Sequence, residues 1–126
     1  MVNQHLDLKS MIEAAQVLIG IHDFSSFRGT GNSTKNSVRE VFSLSIERFD
    51  KINFMTVSIK GNFLKISIEA NGFLRHMVRN IAGTLVEIGR GRISADRMSR
   101  ILKSHDRRLA EPTGPANGLF LERIVF

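Results

Sequence analysis

Apolar residues recur at helical spacing between Gly72 and Arg92, at Leu74, Met77, Val78, Ile81, Leu85 and Ile88. That period predicts a buried helix over 72–89. Gly89 follows the last periodic residue and suits the left-handed position that ends many helices. A second helix is expected over residues 7–20. Asp7 is its N-cap, Leu8, Met11, Ile12, Ala15, Leu18 and Ile19 form its stripe, and Gly20 stops it. A third runs from Ser94, a good N-cap, to about Ser104, burying Met98, Ile101 and Leu102. Elsewhere the period is two. Phe42, Leu44 and Ile46 alternate with Ser43, Ser45 and Glu47. Met55, Val57 and Ile59 alternate with Thr56, Ser58 and Lys60, and Leu64, Ile66, Ile68 and Ala70 with Lys65, Ser67 and Glu69. Each run predicts a strand with one buried and one polar face. Turns are expected at Gly61-Asn62 and over 49–53. Residues 118–126 read as a terminal strand that pairs with this meander. The fold class is α+β: a largely antiparallel sheet, a three-strand meander plus the C-terminal strand, packed against about three helices.

Charge changes the picture at the start of the 72–89 helix. Arg75 and Arg79 share a face, as do His76 and Asn80. A helix N-terminus already carries roughly half a positive charge, so cations there are unfavourable unless an anion faces them. Either these arginines are solvated surface residues, or a carboxylate or phosphate meets them. The segment His22-Asp23-Phe24-Ser25-Ser26-Phe27-Arg28 and the Gly-, Ser-, Thr- and Asn-rich run to Ser37 form a loop by composition. Between Phe24 and Arg39 stand three cations, Arg28, Lys35 and Arg39, and no acid. Such a loop is either a phosphate-contacting surface or a mobile one. Asp23, beside His22, suits a turn-capping role better than a catalytic pair.

The 126 residues make one domain, long enough to bury a core. A net charge of +6 favours a polyanionic partner. The absence of cysteine excludes disulfides and thiolate metal sites. No apolar run approaches the length of a membrane span, and no signal pattern opens the chain, so a cytoplasmic location is expected.

Four pieces then occur in one order. They are His22-Asp23-Phe24-Ser25-Ser26-Phe27, Phe73-Leu74-Arg75-His76-Met77-Val78-Arg79-Asn80 running on to Val86-Glu87-Ile88-Gly89-Arg90-Gly91, Asp106-Arg107, and Gly114-Pro115-Ala116-Asn117-Gly118-Leu119-Phe120-Leu121. Together they resemble the C-terminal half of the TruA-type tRNA pseudouridine synthases, from about Leu6 to Phe126. The resemblance implies isomerisation of uridine to pseudouridine in the tRNA anticodon stem-loop. It implies no metal or organic cofactor, tRNA as partner, and a homodimer. The target nucleotide would be flipped out of its stack. Arg79 matches the arginine that pairs with the family's catalytic aspartate, and Leu119 the leucine beside the target base. Phe24, Arg28, Arg75 and His76 fall in segments that line the RNA-facing cleft, and Lys35 and Arg39 are added from the loop's charge.

The chain departs from the family pattern in two ways. The family's aspartate lies in a Gly-Arg-Thr-Asp motif of the N-terminal half. The five aspartates here, Asp7, Asp23, Asp50, Asp96 and Asp106, lie in no such context, and the cleft tyrosine is missing because the chain has no tyrosine. The whole chain, 1–126, therefore reads as the C-terminal domain of such a synthase, inactive until an N-terminal half supplies the aspartate. A non-catalytic, stand-alone RNA-binding module is the alternative. A structural, self-associating domain with an exposed half-apolar surface is a third.

Overall fold

The computed structural model describes residues 6–29, 36–54, 57–106, 109 and 119–125, with backbone alone over 50–62 and at 119–120. Among these residues the chain forms α1 (Leu8–Gln16), β1 (Gly20–Asp23), β2 (Val38–Phe54), β3 (Val57–Ala70), α2 (Met77–Gly89), α3 (Asp96–Ser104) and β4 (Leu119–Val125). A 3-10 turn, Ser25–Phe27, follows β1. The sheet has the order β1-β2-β3-β4. The first two pairings are antiparallel, whereas β4 lies parallel to β3. The α+β class is as expected, but the sheet is mixed. A parallel neighbour needs a crossover of a dozen or more residues, and the chain from 71 to 118, with α2 and α3, provides it.

The expected meander is redistributed. Of the two runs read as separate strands, 55–60 and 64–70, residues 57–60 and 64–70 belong to the one strand β3, and 55–56 lie outside the described residues. Gly61-Asn62 is no hairpin turn. Phe49 pairs with Phe63 and Lys51 with Lys60, so these residues sit at a bulge where two of β3 face one of β2. Residues 51–53, taken as part of a turn, lie inside β2. A second irregularity falls between Val41 and Ser43, which pair with the consecutive residues Ala70 and Glu69. The inserted residue is Phe42, and it shifts the phase of alternation. Val41, Leu44 and Ile46 face the core, and Phe42 is 44% exposed instead of buried. β1 has no visible alternation in sequence. Its four residues, Gly20–Asp23, gain their strand form by pairing with Val38–Val41.

The helices cover the sheet face that carries Leu64, Ile66, Ile68 and Ala70, and one contiguous core lies between. Asp7 caps α1 as expected, its Oδ1 accepting from the Ser10 N–H at 3.2 Å. Such caps contribute about 1 kcal/mol. The helix ends at Gln16 and not at Ile19, because the backbone tightens into 3-10 bonds at Val17, Leu18 and Ile19. Leu18 still enters the core, whereas Ile12 is exposed. α3 buries Met98, Ile101 and Leu102 as expected, with its cap at Ala95, one residue past Ser94.

Gly89 is a glycine for a different reason from the one its position suggested. It is the last residue of α2, and a Cβ there would lie 2.5 Å from Met11 Sδ and 2.9 Å from Met11 Cγ. The close approach lets the Asp7 N–H donate to the Gly89 carbonyl at 2.8 Å, so α2 ends on the start of α1. The left-handed residue is Gly91, at φ +80°. Around it the Arg92 N–H donates to Glu87 O at 3.1 Å and the Gly91 N–H to Ile88 O at 3.0 Å, the Schellman pattern.

Candidate functional site

α2 begins at Met77, several residues later than its apolar period suggested, because His76 takes φ 60°, ψ 8°. A left-handed residue other than glycine costs roughly 1–2 kcal/mol, so its surroundings must hold it. The 24–29 loop does so. The Gly29 N–H donates to Arg75 O at 2.8 Å. A Cβ on Gly29 would stand 2.8 Å from His76 Nδ1 and 3.2 Å from Arg75 O, which only glycine avoids. One helical turn on, Asn80 Nδ2 donates to Phe27 O at 2.8 Å, and Thr84 Oγ1 donates to Asn80 O at 3.0 Å. The loop is itself braced. Asp23 Oδ1 accepts from the Ser25 N–H at 3.0 Å, the turn role its position suggested. Phe24 and Phe27 are fully buried, with the His22 ring edge-on to Phe24 at 5.8 Å.

This strapped helix start and β4 together form an open depression of about 300 Å³. His76, Val78 and Arg79 line it from the α2 side, and Leu121 and Arg123 from β4. β4 is one of the two edge strands among the described residues, and its register sets Leu121 opposite Ile66 and Arg123 opposite Ile68. Paired residues share a sheet face, so both point to the helix side. No carboxylate lines the depression among the described residues. Glu87 is held by Arg90 at 3.0 Å and Arg92 at 3.3 Å. Glu122 lies on the other sheet face, against Lys65 at 3.5 Å and Ser67 Oγ at 3.2 Å. A cationic hollow with an apolar floor, at a helix N-terminus, suits an anion attached to a flat or apolar group.

A family model described as tRNA pseudouridine synthase matches residues 14–126. The chain belongs to the tRNA pseudouridine synthase family. It is 40% identical over 121 residues to a tRNA pseudouridine synthase A of Thermodesulfovibrio yellowstonii, covering 96% of this chain and 47% of that protein. It is 43% identical over 125 residues to that of Acetivibrio thermocellus, covering 99% of this chain and 47% of that protein. With that of Bordetella avium the identity is 44% over 123 residues, covering 98% and 42%. The chain thus spans somewhat less than half the length of these relatives.

Of the residues that resemblance to the synthase family singled out, Arg79 and His76 meet at the depression. Arg79 lies in the first turn of α2 and is exposed. Arg75 is exposed, but it precedes the helix and so does not share a helical face with Arg79. Phe24 is wholly buried, so its part is to pack the loop and not to offer a ring at the surface. Arg28 is half-buried and donates from Nη1 to Ser37 Oγ at 3.3 Å. Arg39 donates from Nη1 to the carbonyls of Asn36 at 2.9 Å and Val38 at 2.7 Å, and it lies against Gly72. Neutral carbonyls fix its geometry without cancelling its charge. Lys35 and the side chain of Leu119 lie outside the described residues, and the backbone of Leu119 pairs with Leu64. Arg123 was missed. Its signal was available: Leu119, Leu121, Arg123 and Val125 alternate, and one cation interrupts an apolar face.

Proposed function

We propose that this chain is the C-terminal half of a tRNA pseudouridine synthase, which isomerises uridine to pseudouridine in the anticodon stem-loop. The observation that carries the reading is the position of Arg79, exposed in the first turn of α2 on the wall of the depression. An aspartate from an N-terminal half would meet it there. The guanidinium and the helix N-terminus would hold that carboxylate ionised and oriented toward the sugar. The glycosidic bond breaks, the uracil turns, and it rejoins through carbon. Leu119 supports the flipped base by apolar contact. Arg28, Lys35, Arg39, Arg75 and His76 hold the RNA backbone, with Phe24 stiffening the loop beneath them.

The described aspartates support a supplied partner. Asp7 caps α1, Asp23 closes a turn, Asp96 opens α3, and Asp106 follows α3 with its N–H on Ser104 Oγ; none of these lines the depression. The reading includes a homo-oligomer in the cytoplasm. Ile21, Val38 and Phe42, exposed on or beside the sheet face away from the helices, suit a subunit contact. Among the described residues no helix is long and apolar enough to cross a membrane.

The test is pseudouridine formation in a tRNA anticodon stem-loop, measured for this chain alone and with an N-terminal half carrying the aspartate. Activity is expected only from the mixture, and lost with Arg79→Ala. Activity of this chain alone would overturn the division of labour. Tight, salt-sensitive tRNA binding with no isomerisation in either sample would instead support the non-catalytic RNA-binding module.

A further inference from the structure

We propose that Arg123 is a further RNA-positioning residue of the cleft, holding a phosphodiester of the strand whose uridine is flipped out. This rests on the RNA reading above. Arg123 reaches the depression because the β4 register sets it opposite Ile68, on the helix side of the sheet. Its side chain has no hydrogen-bond or ion-pair partner among the described residues. Its neighbour Glu122 points the other way and is engaged by Lys65 and Ser67.

Charge decides what Arg123 faces. Arg123 brings a positive charge to the hollow, and the α2 N-terminus adds about half another. The carboxylate proposed for Arg79 is engaged there, so this charge calls for a second anion. A flipped nucleotide carries a phosphate on either side of its ribose. A guanidinium fork matches phosphate oxygens in pairs. Val78 and Leu121 set an apolar surface beside the cations. A nucleotide presents that mixture of flat base and anion, and a second carboxylate does not.

The experiment is binding of an anticodon stem-loop RNA to this chain, titrated between about 50 and 200 mM salt. Arg123→Gln is expected to weaken binding and lower the slope of log affinity against log salt by roughly 0.7–0.9, one phosphate contact. Arg123→Lys is expected to restore the slope. An unchanged slope in Arg123→Gln overturns the assignment. So does an equal drop from Lys9→Gln, on α1 and not lining the depression, since the effect would then be one of net charge. If Arg123→Gln keeps the RNA slope but loses affinity for a supplied N-terminal half, the partner is a carboxylate and the assignment fails. No RNA binding by the unmodified chain would overturn the RNA reading along with it.

Discussion

Asn80 Nδ2 donates to the Phe27 carbonyl at 2.8 Å across 53 residues of sequence. That bond, with Gly29 to Arg75, fastens the loop to the first turn of α2 and so shapes one wall of the hollow. Phe27 is fully buried, so its carbonyl cannot turn to water. Asn80→Ala is expected to lose about 1–3 kcal/mol in urea unfolding, the cost of an unsatisfied buried acceptor. Asn80→Asp keeps the shape but cannot donate, and should cost at least as much. Hydrogen exchange should rise in residues 24–29 in both variants before it rises in β3. Equal protection of that loop in wild type and variants would show that the bond does not hold it.

The long-range origin of this wall explains what the sequence could show. The helical period through Met77, Val78, Ile81, Leu85 and Ile88 was legible because each residue reports the same buried face. The alternation of Leu64, Ile66 and Ile68 was legible for the same reason. The late start of α2 was not. His76 is unremarkable in a helix, and the Gly29 that packs against its left-handed turn stands 47 residues earlier. The bulge at Phe42 was hidden because an extra residue changes the phase without changing composition. β1 and the parallel direction of β4 depend on partners, and a single strand's pattern carries neither. Arg79 and His76 stood out through charge at a helix start. Arg123 did not, since its meaning depends on which strand lies beside β4.

Gly89 and Met11 form a close pair that predicts non-additive stability. A methyl at Gly89 would sit 2.5 Å from Met11 Sδ, and Met11 is fully buried. Alanine gains about 1 kcal/mol over glycine in a helix, but overpacking costs about 1–3 kcal/mol. Gly89→Ala is therefore expected to be neutral to destabilising by about 2 kcal/mol. In a Met11→Ala background the clash is gone, and the same change should become stabilising. A sign reversal in the double-mutant cycle, read by denaturant unfolding, checks this.

Gly91 sits two residues on and behaves oppositely. Its φ is +80° and no atom lies within 4 Å of a built Cβ, so only the backbone penalises a side chain. Gly91→Ala is expected to destabilise by about 1 kcal/mol. Gly91→Asn should cost less, because asparagine tolerates the left-handed region better. The Met11→Ala background should leave both values unchanged. Coupling between Gly91 and Met11 would contradict the separation of a steric glycine from a conformational one.

His76 is where stability and binding should part. Its left-handed backbone is strained for any side chain, yet its ring packs over Gly29 and lines the hollow beside Arg79. His76→Gly relieves roughly 1–2 kcal/mol of backbone strain and gives back about 0.5–1 kcal/mol through a freer unfolded chain. His76→Ala keeps the strain and gains nothing in return. Glycine at 76 is thus expected to be more stable than alanine by about 1 kcal/mol. Both should bind RNA more weakly than wild type, and to the same extent, because both remove the imidazole from the cleft. If RNA affinity instead tracks stability across histidine, alanine and glycine, residue 76 acts only by setting the helix start. A glycine variant that is as stable as wild type and yet deficient in binding would identify the strain as one retained for the site.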